Sequence, residues 1–298
     1  MAIGVFGLQV AYKLKRLEVM STQNTHGWFG GGLVGSPTAT VKRIDFSNDT
    51  SSVSPRGPLS TARTTLAATG NSNYGWFGGG GAPGFVVHSA VDRIDFSNDS
   101  ATASPRGPLS LARGRLAATG NSNYGWFGGG AYPPSTPAII YSTVDRIDFS
   151  NDNATASPRG PLFQARNYLT ATGNSNYGWF GGGYLPAPAL PVSTVDRIDF
   201  SNDSTSASPR GPLGTGARHR FAATGNSNYG WFGAGISPGV GSTVDRIDFS
   251  NDTGTALTRG PLSAIKYKHA ATGNSNYGWF GGGTNPSGSV TIVDRIDF

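Results

Sequence analysis

A Gly-Trp-Phe-Gly core returns six times along this chain, with its tryptophan at Trp28, Trp76, Trp126, Trp179, Trp231 and Trp279. The intervals of 48, 50, 53, 52 and 48 residues exceed those of the common helical repeats. They fall where one repeat makes one blade of a β-propeller. A lone unit of this size cannot bury its own apolar face, so the copies must stack on one another.

The second interval shows what one unit contains. Residues 66–69 read as a strand, 70–73 (Gly-Asn-Ser-Asn) as a tight turn and 74–77 as the next strand, since Gly and Asn tolerate positive φ. Three glycines then end that strand where the backbone has to pass close to a neighbour. A loop leads to the third strand, 91–96, and the turn 97–99 to an outer strand, 101–106. Pro105 suits an edge that can spare an amide donor. The last copy stops after its third strand, while residues 4–10 alternate like a strand. Residues 1–10 are therefore expected to pair with 293–298 and close the ring, which removes a sheet edge. The expectation is an all-β, single-domain protein over residues 1–298: a six-bladed propeller of four-stranded antiparallel blades.

Composition narrows the rest. The 45 glycines and 19 prolines would suggest disorder if unordered, but here they recur in register with the aromatics, as in a turn-rich β protein. No cysteine is present, which excludes disulfides and thiolate metal sites. The apolar stretch 1–12 is too short to span a bilayer and lacks the flanks of a signal peptide, so no membrane insertion is expected. A formal charge of +6 with only 13% charged residues favours acidic partners weakly and makes nucleic acid a poor candidate.

Paired glycines after an aromatic strand (Tyr74-Gly75-Trp76-Phe77-Gly78-Gly79), the Val91-Asp92-Arg93-Ile94-Asp95-Phe96 strand and an Ala-Arg pair before the next copy (Ala112-Arg113, Ala165-Arg166, Ala217-Arg218) resemble the kelch-type repeat. The wording of the copies, NSNYGWFGGG, VDRIDFSND and SPRGPLS, is also similar to repeat proteins of marine and cyanobacterial phages. That resemblance implies a non-enzymatic virion or tail-associated protein whose partners are host surface glycan or other virion proteins. A bacterial or cyanobacterial lectin-like or scaffold propeller, on the cell surface or in the cytoplasm, is the alternative, and a hydrolase the third.

The copies differ in two places: the loop between the glycines and the third strand, 8 to 13 residues long, and the crossover from the outer strand to the next blade. In an antiparallel four-stranded blade both emerge on one face, so loop diversity is concentrated where a rigid frame can present it. Aromatic and basic residues outside the repeat pattern make the candidate binding face: Phe85, Arg115, Tyr132, Tyr141, Phe163, Tyr168, Tyr184, Arg220, Tyr267 and Lys268. Arg63, Arg113, Arg166 and Arg218 also lie on crossovers, whereas Asp49, Asp99, Asp152, Asp203 and Asp252 lie on the opposite turns, so a bipolar molecule is expected. The competing reading pairs those four arginines with strand aspartates as framework.

For chemistry the inventory is thin: four scattered histidines and one glutamate, Glu18. The aspartates of Val-Asp-Arg-Ile-Asp-Phe, such as Asp92 and Asp95, recur in nearly every copy, which suits pairing with Arg93 and its equivalents better than a single catalytic constellation. The glycine runs lead into β loops and not into a helix that could hold phosphate. No cofactor, metal or catalytic residue is assigned.

Overall fold

A computed structural model describes residues 25–298 except Pro83, Phe85, 133–137 and 187–188. Six antiparallel sheets of three or four strands succeed one another along the described residues, with three two-stranded ribbons in the loops between their strands. In the second blade Ala67–Gly70, Tyr74–Gly78, Val91–Asp95 and Ser104–Arg106 lie side by side in that order, from inner to outer, and the third to fifth blades repeat this. The first blade holds His26–Gly30, Val41–Asp45 and Ser54–Arg56, and the last Ala270–Gly273, Tyr277–Gly281 and Val293–Asp297. Among the described residues the last blade thus has no outer strand, and the closing strand expected at residues 1–10 lies outside them.

The Gly-Trp-Phe-Gly core works because successive side chains of a strand point to opposite faces of the sheet. Trp126 faces the following blade and stacks on Phe200, with ring centroids 3.8 Å apart. Phe127 faces the preceding blade and lies over Gly78, where an added Cβ would come within 2.7 Å of the ring. The same Trp–Phe stack recurs at all six seams, at 3.8 to 4.1 Å. One of the six is Trp279 on Phe46, which joins the last blade to the first and closes the ring. Each such pair contributes about 0.5–1.5 kcal/mol beyond the apolar area it buries.

A carboxylate clamps five of the six stacks from outside. Trp76 Nε1–H donates to Asp152 of the next blade at 2.8 Å, and the same oxygen meets Arg93 at 3.0 Å and Arg106 at 3.5 Å. Asp99, Asp203 and Asp252 repeat the arrangement, and Asp49 receives Trp279 and Arg295. The turn aspartates are therefore framework, half of a network that neutralises them. The expected bipolar distribution of charge is corrected to that extent, because arginines of the same face answer these five aspartates.

On the variable face four of the expected cations drop out as well, while Arg115, Arg220 and Lys268 remain. Arg63, Arg113, Arg166 and Arg218 are buried and pair with Asp92, Asp145, Asp196 and Asp245 at 2.6 to 2.8 Å, as the framework reading has it. Arg113 also donates to the strand carbonyls of Phe127 and Gly129, and Arg63, Arg166 and Arg218 likewise reach carbonyls of their own blades through their terminal nitrogens, while their Nε groups are buried without a partner. Lys266 with Asp294 takes this place in the last blade. Asp92 thus belongs to Arg63 and not to Arg93, which crosses to the next blade, while Asp95 accepts the Ser97 N–H and hydroxyl within its own turn.

The outer strand is shorter than expected, three residues where six were read. Ala101 N–H is taken by Asn98 within the turn, and Ala103 N–H by Pro58 of the preceding crossover, so neither can enter its own ladder. Ser104–Arg106 pairs regularly, with Pro105 opposite Asp92.

Gly79 has φ +69, and a Cβ there would lie 2.6 Å from the Arg113 carbonyl oxygen. In the fifth blade Ala234 stands at this position with φ 58, and the ladder shifts register between Gly233 and Gly235. An L side chain in this region costs about 1 kcal/mol relative to glycine. Ala234→Gly is expected to raise the stability by about that amount, read as a higher urea midpoint at unchanged slope.

Candidate functional site

Hydrogen bonds assign the faces. Each crossover bridges the residue that follows its own blade's glycines: Thr64 with Gly81, Gly114 with Ala131, Asn167 with Tyr184, His219 with Ile236 and Tyr267 with Thr284. Crossovers and variable loops therefore share one face. On the other, the two near-invariant turns are tied together, as where Phe149 N–H donates to Asn123. Of the exposed large apolar side chains among the described residues, Leu33, Val86, Leu111, Tyr132, Ile139, Phe163, Leu190, Ile265 and Ile292 belong to the variable segments and Leu257 and Val293 do not.

The crossovers end at the central axis, where the inner strands of successive blades pack against one another. Just before each inner strand one residue adopts the left-handed conformation: Thr65, Arg115, Tyr168, Arg220 and Lys268, with φ between 54 and 61. Backbone hydrogen bonds link them in sequence around the axis. Arg115 N–H donates to Thr65, Tyr168 to Arg115, Arg220 to Tyr168 and Lys268 to Arg220, at 2.8 to 3.0 Å. These bonds hold a conformation that non-glycine residues adopt only when their surroundings over-determine it.

The side chains of that ring meet. Arg115 and Arg220 place their guanidinium carbons 4.8 and 4.4 Å from the centroid of the Tyr168 ring. His219 lies 6.1 Å from Tyr168 and 5.1 Å from Tyr184, centroid to centroid, and Lys268 sits 5.5 Å from the Tyr267 ring. Burial, then the charges of Arg220 and Arg115, holds the Lys268 amine below its ordinary value. Burial with Arg220 beside it lowers His219 to about 4, so at neutral pH that ring is uncharged.

Six of the ten expected face residues thus come together: Arg115, Tyr168, Tyr184, Arg220, Tyr267 and Lys268. Tyr132 and Phe163 are exposed further along the variable segments, and Tyr141 is half-buried, with its backbone bonded to Gly130 and Arg166. Phe85 lies outside the described residues. Residue-by-residue reading missed Thr65 and the fact that five ring members occupy one repeat position. The signal was present, because each stands eleven residues before its tryptophan.

No three His, Asp or Glu side chains among the described residues are grouped to hold a metal ion, and no helix there is long and apolar enough to cross a membrane. Fold and surface together define the class: a six-bladed β-propeller, a scaffold suited to binding another protein or a ligand. No protein-family model matches the chain, and no curated protein matches it significantly.

Proposed function

We propose that this propeller is a non-enzymatic recognition module that binds through the face made by its crossovers and variable loops. The carrying observation is that, among the described residues, nearly all the exposed large apolar side chains lie on that face, around basic residues with no carboxylate partner, while the opposite turns are near-copies. Clustered apolar exposure rimmed by polar residues marks an interaction surface. The kelch-like motifs and the likeness to phage repeat proteins extend the reading to a virion component, extracellular when mature, that attaches to host surface glycan or docks other virion proteins.

Binding to a glycan array that falls at least tenfold in the variant Tyr132→Ser/Phe163→Ser, at unchanged melting temperature, supports recognition by this face. Equal binding by that variant, or product released from any glycan, overturns it. Mass spectrometry of purified particles tests the virion assignment.

A further inference from the structure

Arg115, Arg220 and Lys268 are three cations drawn together by the backbone ring, and no carboxylate among the described residues answers them. The sixteen aspartates are all engaged elsewhere: in the buried pairs, in the clamps on the tryptophans, in their own turns, or with His26 or Arg295 near the first and last blades. Glu18, the single glutamate, lies outside the described residues. Like charges held close repel, and none of Arg115, Arg220 and Lys268 has the carboxylate partner that each framework arginine has, so framework needs do not account for this arrangement.

The backbone sharpens the point. The ring positions require positive φ, which glycine meets without strain. In a chain with 45 glycines, none of the five uses one. Side chains are kept there against a conformational cost, and three of the five are cationic.

We propose that the axial ring is a site for a single oxyanionic group, a carboxylate or sulfate carried on a sugar. Arg115 and Arg220, fixed over the Tyr168 ring, offer planar N–H forks, and Lys268 adds a point charge. Tyr168 holds the two guanidiniums with its ring, and Tyr184, beside His219, is the further aromatic ring against which a pyranose can lie. This deepens the reading of the variable face as a recognition surface, but the ring is a site in its own right.

The test is isothermal titration with glucuronate, inorganic sulfate and, as the neutral control, glucose. Wild-type protein is expected to bind at least one of the anions at one site per chain, more weakly as salt rises, and not glucose. Each replacement Arg115→Gly, Arg220→Gly or Lys268→Gly is expected to weaken binding about tenfold at a melting temperature equal to or above wild type, since glycine relieves the left-handed backbone. Tighter binding of glucuronate assigns the group to an acidic sugar, and tighter binding of sulfate to a sulfated one. No binding of either anion, or equal binding by the triple glycine variant, overturns the site even where glycan-array binding persists. Anion binding that survives Tyr132→Ser/Phe163→Ser while array binding is never seen leaves the ring intact and removes the loop-face reading.

Discussion

Asp152→Ala is expected to destabilise the protein by about 3–5 kcal/mol, the range for removing one member of a buried ionic network. Asp152 is buried and one of its carboxylate oxygens serves Trp76 Nε1, Arg93 and Arg106. Alanine leaves the buried indole donor unanswered and takes the carboxylate from two guanidinium groups, of which Arg106 keeps Asn153, and each unanswered buried donor costs about 1–3 kcal/mol. Asp152→Asn keeps an acceptor for the indole and is expected to fall between. The contrasting control is Asp95→Ala, which removes bonds only within an exposed turn and should cost no more than about 1 kcal/mol. The fifth seam offers an internal comparison: Trp231 stacks on Phe298 but has no aspartate partner among the described residues. Trp231→Phe should therefore cost less than Trp179→Phe, whose indole donates to Asp252. Urea unfolding of these variants decides the matter. A loss below about 1 kcal/mol for Asp152→Ala, or equal losses at the two tryptophans, would mean that stacking alone holds the seams.

The blades were legible because their cause is local and periodic. A tryptophan and a phenylalanine side by side between glycines can pack only if blades lie on both sides, and that arrangement recurs at every seam. The partners of the charged groups were less legible. Asp152 sits in one repeat and is used by Trp76 and Arg93 in another, and when the copies are nearly identical the spacing does not say which neighbour a residue serves. The left-handed ring was hidden for a different reason. Positive φ is usually announced by glycine or asparagine, but here Thr65, Arg115, Tyr168, Arg220 and Lys268 occupy it. Only alignment of the copies on their tryptophans brings these dissimilar residues to one position. The candidate face was visible as a set of exceptions to the repeat, whereas its centre was not.

One such exception makes the second large effect. His269 occupies the core position that Leu66, Leu116 and Leu169 fill in other blades. It is 8% exposed, and neither ring nitrogen makes a well-formed hydrogen bond. Burial, with Lys266 beside it, lowers its pKa from 6.5 to about 3. A histidine depressed in this way is neutral in the folded protein and takes up a proton on unfolding. Its contribution is complete above pH 6.5 and is lost as pH falls from 6.5 towards about 3. Between pH 7 and 4.5 the loss is expected to be on the order of 2 kcal/mol, since each pH unit below 6.5 at which only the unfolded chain is protonated removes about 1.4 kcal/mol. His219 acts in the same direction, discounted because it is half exposed. Asp45, Asp148 and Asp248, held below their ordinary value first by the hydroxyls of Ser47, Ser150 and Ser250, lose their share only below about pH 4. The loss between about pH 6.5 and 4.5 therefore comes from the histidines, since Asp196, raised by burial, shifts stability the other way as pH falls. His269→Leu restores the side chain of the other blades and removes an unmatched polar ring from the core. It is expected to raise stability at pH 7 by about 1–3 kcal/mol and to flatten most of the acid limb. Urea midpoints at about pH 7 and pH 4.5 measure both effects. An acid limb as steep in His269→Leu as in the wild type would show that the buried imidazole does not control it.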